Sequence, residues 1–340
     1  MKRKRNDVPY LPRFAPVSYE VYPYLAGVSL RDFHLDGPAC AHAFREGGRR
    51  CRELFGEHAG ISACSCPPLS YGHLACLGAE ILFPENGAPW PTPIYASLDE
   101  GIRALKAEYD FARNAQFKQQ LAMCDYLRAA FPAENVQFSG FGKEGIITSA
   151  VLLRGQDFYL DILDDPPRAK QFLDLLIDSI VQFDYFCRGL NGDPPISASA
   201  MICDDFAALI PPPLWPEFVL PYWDAYYCAT SNGTRHLHCE GLSAMHLPYL
   251  TTLGLSSFDP DLSPKLTPGI VAASVDIPFG WSLQSFDYAS MTHADIERWV
   301  SEAVGAGAAS IYSYIYVNMC QGDIPSKVRS FMSAAKRYFV

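Results

Sequence analysis

Long apolar runs are missing from this sequence. No uninterrupted stretch approaches the ~18 residues that a membrane-spanning helix requires. No apolar segment of signal-peptide type follows the basic opening MKRKRND either. The expectation is a cytoplasmic protein with no membrane partner. Charge is sparse, since only 19% of the 340 residues are Asp, Glu, Lys or Arg. No polar low-complexity tract is present, which excludes extensive disorder; residues 1–10 are the exception, expected as a frayed, solvated end. Positive charge is sparser still. With 27 Lys and Arg against 37 Asp and Glu, the net charge is −10, which argues against nucleic acid as a partner, because phosphate binding needs a basic face. No GxGxxG or Walker pattern follows any strand-like run, which lowers a nucleotide-binding reading. Neither an internal repeat nor a linker is evident, so a single domain over 1–340 is expected.

Apolar residues make up 49% of the chain, ample for a large buried core. The 11 cysteines are odd in number and scattered, which fits reduced thiols better than a disulfide framework. Cys64 and Cys66, in ISACSCPP, read as strand residues.

Short strand-like runs alternate with helical patterns over most of the length. GISACSCP, AEILFPE and NVQFSGF are expected strands in the first half, and SASAMICDD, TRHLHCE, GLSSFDP, IVAASVDI and ASIYSYIYV in the second. Between them, DDPPRAKQFLDLLIDSIVQFDYF opens with Asp165 as N-cap and Pro166 at the first helical position. Its Phe172, Leu173, Leu176, Ile177, Ile180 and Phe183 then recur at helical spacing. MTHADIERWVSEAVGAGA carries a Thr292/Asp295 capping-box pair and an apolar stripe at Ile296, Trp299, Val300 and Val304. Such alternation predicts parallel strands with crossover helices: an α/β protein, a (β/α)₈ TIM barrel with an N-terminal extension, or alternatively an open doubly wound sheet. The aromatic, proline-rich PYLPRFAPVSYEVYPYLAG at the start is expected as a capping layer.

The densest chemistry lies in Thr234-Arg-His-Leu-His-Cys-Glu-Gly241. On a strand, Thr234, His236, His238 and Glu240 share one face, and Arg235, Leu237 and Cys239 share the other. Leu237 and Cys239 suit a helix-covered outside. The inward row then holds two imidazoles and a carboxylate, converging on the strand's C-terminal end where barrel enzymes place their chemistry. Imidazole nitrogen and carboxylate oxygen both bind Zn²⁺; the alternative is a hydrogen-bonded polar core. In ASIYSYIYVNMCQGDIP the same alternation sets Tyr312, Tyr314, Tyr316, Asn318 and Cys320 on one face. Cys320 is thereby a candidate third ligand, leaving one open coordination position. Asp204 and Asp205 end another strand. One of them is a candidate acid/base group or a support for a histidine, whereas the competing use of Asp205 is to cap the next segment of the chain.

Taken in order, VSLRDFHLD, LGAEILFPENGAPWP, LLRGQDFYLDILDDPPRAKQFLDLLID, CDDFAALIPPPLWPEFVLPYWDAYY, HLHCEG, HLPYLTTLGLSSFDP and NMCQGDIPSKV resemble the uroporphyrinogen decarboxylase superfamily over roughly residues 10–338. The resemblance is closer to its cobalamin-dependent methyltransferase branch. It implies a (β/α)₈ barrel with its site at the C-terminal rim and a zinc ion that activates a thiol acceptor for a methyl group from a corrinoid. His238-Cys-Glu240-Gly241 matches a subgroup pattern of the form His-x-Asp-Gly, and Cys320 falls within about one position of the family's final cysteine. A different register places His238 where methyltransferase members carry cysteine. The arginine-rich N-terminal motif of true decarboxylases is represented here only by Arg13, and the first strand lacks their aspartate.

The expectation is therefore a zinc-dependent methyltransferase, with a small-molecule substrate and a separate corrinoid protein as partner. His238, Glu240 and Cys320 are the expected ligands, and His236 a fourth ligand or a support. Asp205 and Tyr314 are the candidate catalytic side chains: Asp205 to orient a ligand or the substrate, Tyr314, with Tyr312, to line the pocket. Two alternatives stand beside it. One is a decarboxylase drawing on Arg13, Arg31 and Arg154; the other is a non-catalytic tetrapyrrole- or corrinoid-binding protein.

Overall fold

The computed structural model describes residues 15–338 except residue 109, so the first ten residues and Arg13 lie outside the described part. The fold is mixed α/β, with parallel strands and many helices. Among the described residues, seven strands form three small sheets. β1 (Ile81–Leu82) and β2 (Trp90–Pro91) make an antiparallel pair. β3 (Ser197–Cys203), β4 (Ser231–His238) and β5 (Ser257–Asp259) are parallel in that order, and so are β6 (Gly280–Ser282) and β7 (Ser310–Tyr312). Single parallel bridges extend the series: Leu69 to Phe141, Phe258 to Phe279, Val17 to Ile315 and Pro16 to Gly60. Gly145 N donates to Cys203 O at 2.7 Å, which brings the 141–145 segment beside β3. Among the described residues no helix is long and apolar enough to cross a membrane.

The helix Pro166–Leu190 starts as its sequence dictates. Asp165 accepts from the Arg168 N–H, and Pro166 occupies the first turn where no N–H is needed. Phe172, Leu173, Leu176, Ile177, Ile180 and Phe183 are all buried along one stripe, each contributing roughly 1.5–3 kcal/mol relative to exposure. The helix His293–Gly305 carries the expected capping box between Thr292 and Asp295. All eleven cysteines are free thiols, as expected.

Several expected strands are built differently. GISACSCP forms no strand beyond the Gly60 bridge, and NVQFSGF contributes only the Phe141 bridge. AEILFPE supplies β1, which lies in the antiparallel pair and outside the parallel series. The first five residues of IVAASVDI belong to a helix, Pro268–Ser274, and Val275 follows it in extended conformation. There Thr267 caps the N-terminus and Pro268 opens the first turn, and these start signals outweigh the β-branched residues. The strand of that region is β6, a few residues later. The N-terminal extension is more than a capping layer: Pro16 O accepts from Ile315 N at 2.8 Å and Val17 N donates to Gly60 O at 3.1 Å, so residues 16–18 pair with the segments at Gly60 and Ile315.

Candidate functional site

β4 decides the geometry. Leu237 and Cys239 are buried beneath the helices, at 1% and 0% exposure, whereas His236, His238 and Glu240 face the partly open interior. This is the period-two division expected of the strand. Parallel pairing sets Cys203 opposite His238 on one side and Asp259 opposite it on the other. The C-terminal ends of three neighbouring strands therefore present side chains toward one place.

His238 is ringed by carboxylates. Its Nδ1 lies 3.5 Å from Asp259 Oδ2, and its Nε2 lies 3.7 Å from both Glu240 Oε1 and Asp205 Oδ1. Burial alone would depress the imidazolium, but the Asp259 and Glu240 carboxylates, with Asp205, reverse this and raise its pKa to about 11. Asp259 is oriented by the Tyr312 hydroxyl, which donates to its Oδ2 at 2.5 Å. Asp205 Oδ1 accepts from the Glu240 backbone N–H at 2.9 Å, fixing the strand end against the turn after β3. Burial raises the Asp205 pKa, opposed chiefly by that N–H.

Asp259, which faces His238 Nδ1, escaped the sequence reading, and so did Asp261. Asp261 offers a carboxylate oxygen that, with one ligand atom each from His238 and Glu240, forms a group whose atoms all lie within 4.8 Å of one another. Asp261 is also the one non-glycine residue of positive φ among those described, at 27°, a backbone state disfavoured for L-residues and retained where the surroundings enforce it. Its own N–H donates to Asp259 Oδ1 at 3.0 Å, and Gln284 Nε2 donates to its Oδ1 at 2.7 Å. Burial, followed by the opposing Gln284 hydrogen bond and the repulsion of Asp259 and Glu240, leaves its pKa raised. Nothing in FDPDLSP announces this, because the turn through Pro260 breaks the alternation. Glu144 is the third omission. Burial, with Asp205 and Asp204 nearby, pushes its pKa to about 8, and no regular strand marks its position.

The other expected site residues are dispersed. His236 sits one step below, with both ring nitrogens engaged, Nδ1 with Ser257 Oγ at 2.7 Å and Nε2 with Thr234 Oγ1 at 3.1 Å. It is outside the three-residue group. Cys320 is outside it as well: regular strand ends at Tyr312, a 3₁₀ turn Val317–Met319 redirects the chain, and Cys320 Sγ lies 3.8 Å from Tyr316 O. Burial pushes its thiol up to about 11. Tyr314 and Tyr316 are 41% and 39% exposed, and Tyr314 meets the Tyr312 ring edge-on with centroids 5.6 Å apart.

The 3₁₀ turn Asp205–Leu209 has no side-chain cap, so the capping use weighed for Asp205 is not taken up. Asp204 is fully buried and accepts from Thr148 N at 2.7 Å, Ile147 N at 3.1 Å and Trp223 Nε1 at 2.7 Å. It secures the start of the helix Ile146–Arg154 to the end of β3. Gly145 permits this contact, since a Cβ there would collide with Asp204 Cβ and the Cys203 carbonyl. Of the arginines raised for carboxylate recognition, Arg154 is paired with Asp161 at 2.9 Å and Arg31 is exposed on the helix Leu30–Leu35.

A single imidazole with two carboxylates in reach of one point is a nitrogen–oxygen donor set that suits Zn²⁺, and with a proton in place of the metal it is an imidazolium held by anions. No family model matches the sequence, and no curated protein is significantly similar to it. Among solved structures, a methyltransferase from Methanosarcina mazei shares the fold, with a TM-score of 0.69 over 98% of this chain and 95% of that chain at 15% sequence identity.

Proposed function

We propose that this chain is a zinc-dependent methyltransferase that delivers a methyl group to a thiol acceptor. The donor is a corrinoid carried by a separate protein or another methylated molecule. The observation carrying this reading is the convergence of His238, Glu240 and Asp261, with one ligand atom each inside a 4.8 Å group. The shared fold with a methyltransferase supports it. The succession of parallel pairings around the interior supports a (β/α)₈ barrel formed by one domain.

Glu240, His238 and Asp261 are the residues that would hold the ion. Bound there, it supplies Lewis acidity that lets an acceptor thiol ionise near neutral pH. Asp259 faces Nδ1 of His238, which leaves Nε2 as the ligand atom and fixes the ring's orientation. Asp205 holds the Glu240 backbone in place, and Tyr312 does the same for Asp259. Tyr314 lines the space between them and solvent. Cys320 and His236 join the site only if the chain rearranges around the metal. A decarboxylase would require cationic groups for a carboxylated substrate, and Arg154 is already committed to Asp161.

Elemental analysis of protein purified without chelator tests the reading. About one zinc per chain is expected, lost in Glu240→Ala and in Asp261→Ala and retained in Cys320→Ser. Zinc held equally by all four proteins overturns the ligand assignment. Its absence from the wild type after incubation with zinc overturns the metal-dependent reaction.

A further inference from the structure

One member of the three-residue group is not held by strand periodicity. His238 ends β4 and Glu240 lies two residues beyond it, where pairing with β5 fixes the chain. Asp261 stands in the turn that leaves β5, at a φ of 27°, a state that persists only where neighbouring groups enforce it. The backbone does part of this. Cys239 N donates to Asp259 O at 3.1 Å, Gly241 N to Leu262 O at 3.0 Å and Leu242 N to Ser263 Oγ at 3.1 Å, so the turn is laced to the end of β4. Asp261 O accepts from Ser263 N, and Asp261 N donates to Asp259 Oδ1, both at 3.0 Å. None of these bonds ends on the Asp261 carboxylate. They set where its Cα lies and not which way its side chain turns.

The carboxylate is met from β6. Gln284 Nε2 donates to Asp261 Oδ1 at 2.7 Å, across 23 positions of sequence. An ionised carboxylate only accepts, so the amide can meet it only through its NH₂. The segment that carries this amide is itself pinned. Leu283 N donates to Tyr312 O at 2.9 Å, which continues the β6–β7 pairing past Ser282, and Asp287 N donates to Gln284 O at 3.1 Å. The Leu283 side chain is buried in the core and Gln284 is half-buried. A neutral donor suits this place: a lysine or arginine would hold the carboxylate as well, but would set its own charge against an arriving cation.

We infer that Gln284 is a positioning residue of the metal site, whose amide holds the Asp261 carboxylate turned toward His238 and Glu240. This rests on the zinc reading above and names a residue that sets the affinity of that site without touching the ion. Asp259 and Glu240 repel the Asp261 carboxylate. Without the amide, the side chain swings away from them toward solvent, and an ion has to draw it back on binding. Ligating carboxylates depend on such outer hydrogen bonds, and the loss of one weakens metal binding by roughly 10–100-fold.

The test is a zinc titration of chelator-stripped full-length protein in competition with a chromogenic chelator, beside thermal melts with and without zinc. Gln284→Met keeps the length of the side chain and removes the donor, whereas Gln284→Ala removes both. Each variant is expected to bind zinc about tenfold or more weakly than the wild type, with a smaller rise of the thermal midpoint when zinc is added. A merely structural role would lower the midpoint with and without zinc alike and leave that rise unchanged, which overturns the assignment. Wild-type affinity in Gln284→Met, even beside weak binding in Gln284→Ala, overturns it too, because packing and not the hydrogen bond would then be what matters. Failure of the wild type to bind zinc overturns the reading on which the assignment rests, and the assignment with it.

Discussion

Two carboxylate environments lie a few ångströms apart in this protein, and they are managed in opposite ways. Asp204 is enclosed and saturated, with two backbone N–H groups and the Trp223 indole donating to it. Its neighbour Asp205 belongs to the other environment, where Asp205, Glu240, Asp259 and Asp261 gather around one imidazole as their shared cationic partner. Saturation makes a carboxylate part of the scaffold, because its charge is spent on groups that never leave. Under-compensation leaves a field that a cation can enter, at a cost in the stability of the empty protein. Adjacent residues of identical type thus differ in role according to how completely the fold answers their charge.

Breaking the saturated side should have the largest effect. Asp204→Ala leaves three buried donors unpaired, and a loss of about 3–5 kcal/mol is expected, read from urea denaturation midpoints at constant slope. A loss below about 1 kcal/mol would mean that the knot at the end of β3 is not structural. Filling the other side should come next. Zinc at about 100 times its Kd should stabilise the wild type by about 2.7 kcal/mol and Glu240→Ala hardly at all, as followed by thermal denaturation with and without metal.

A buried base sharpens the contrast, because it is neither saturated nor solvated. His73 is fully buried, bonded by Nε2 to Ser179 Oγ at 2.9 Å, and burial lowers its pKa to about 3. The unfolded chain takes up a proton near the ordinary value of 6.5, and the folded chain does not. The unfolded state therefore binds more protons, and stability falls as pH drops from about 6.5 toward 3, by about 1.4 kcal/mol per unit. The difference in stability between pH 7 and pH 5 should be smaller in His73→Gln than in the wild type, and an unchanged difference would deny His73 this part in acid unfolding. The smallest effect is expected at Asp205→Asn. Removing one charge from the crowded side should leave metal-free stability within about 1 kcal/mol or raise it slightly, whereas a large loss would place Asp205 with Asp204 in the scaffold.

Much of this was readable along the chain, for physical reasons that differ by element. The helix Pro166–Leu190 announced itself through its cap, its proline and its apolar stripe, all local features. β4 was readable because a half-buried strand sorts its side chains by period two, so His238 and Glu240 had to share a face. Where the chain leaves regular structure, periodicity no longer guides. Cys320 was placed by extending the alternation of the last strand, but the 3₁₀ turn Val317–Met319 ends that periodicity before it is reached. Asp261 was invisible because its orientation comes from a strained turn after β5, and Glu144 because it stands in a segment with no pattern at all.

The sequence by itself determined which side chains of β4 turn inward, where the long helices begin, and that carboxylates outnumber basic side chains over the chain, 37 against 27. Those follow from periodicity, capping and composition, which act between near neighbours. Which carboxylates meet was decided only in three dimensions. Asp205, Asp259 and Asp261 reach His238 through the parallel register that sets Cys203 and Asp259 on either side of it, a relation between residues more than twenty positions apart that no local rule contains.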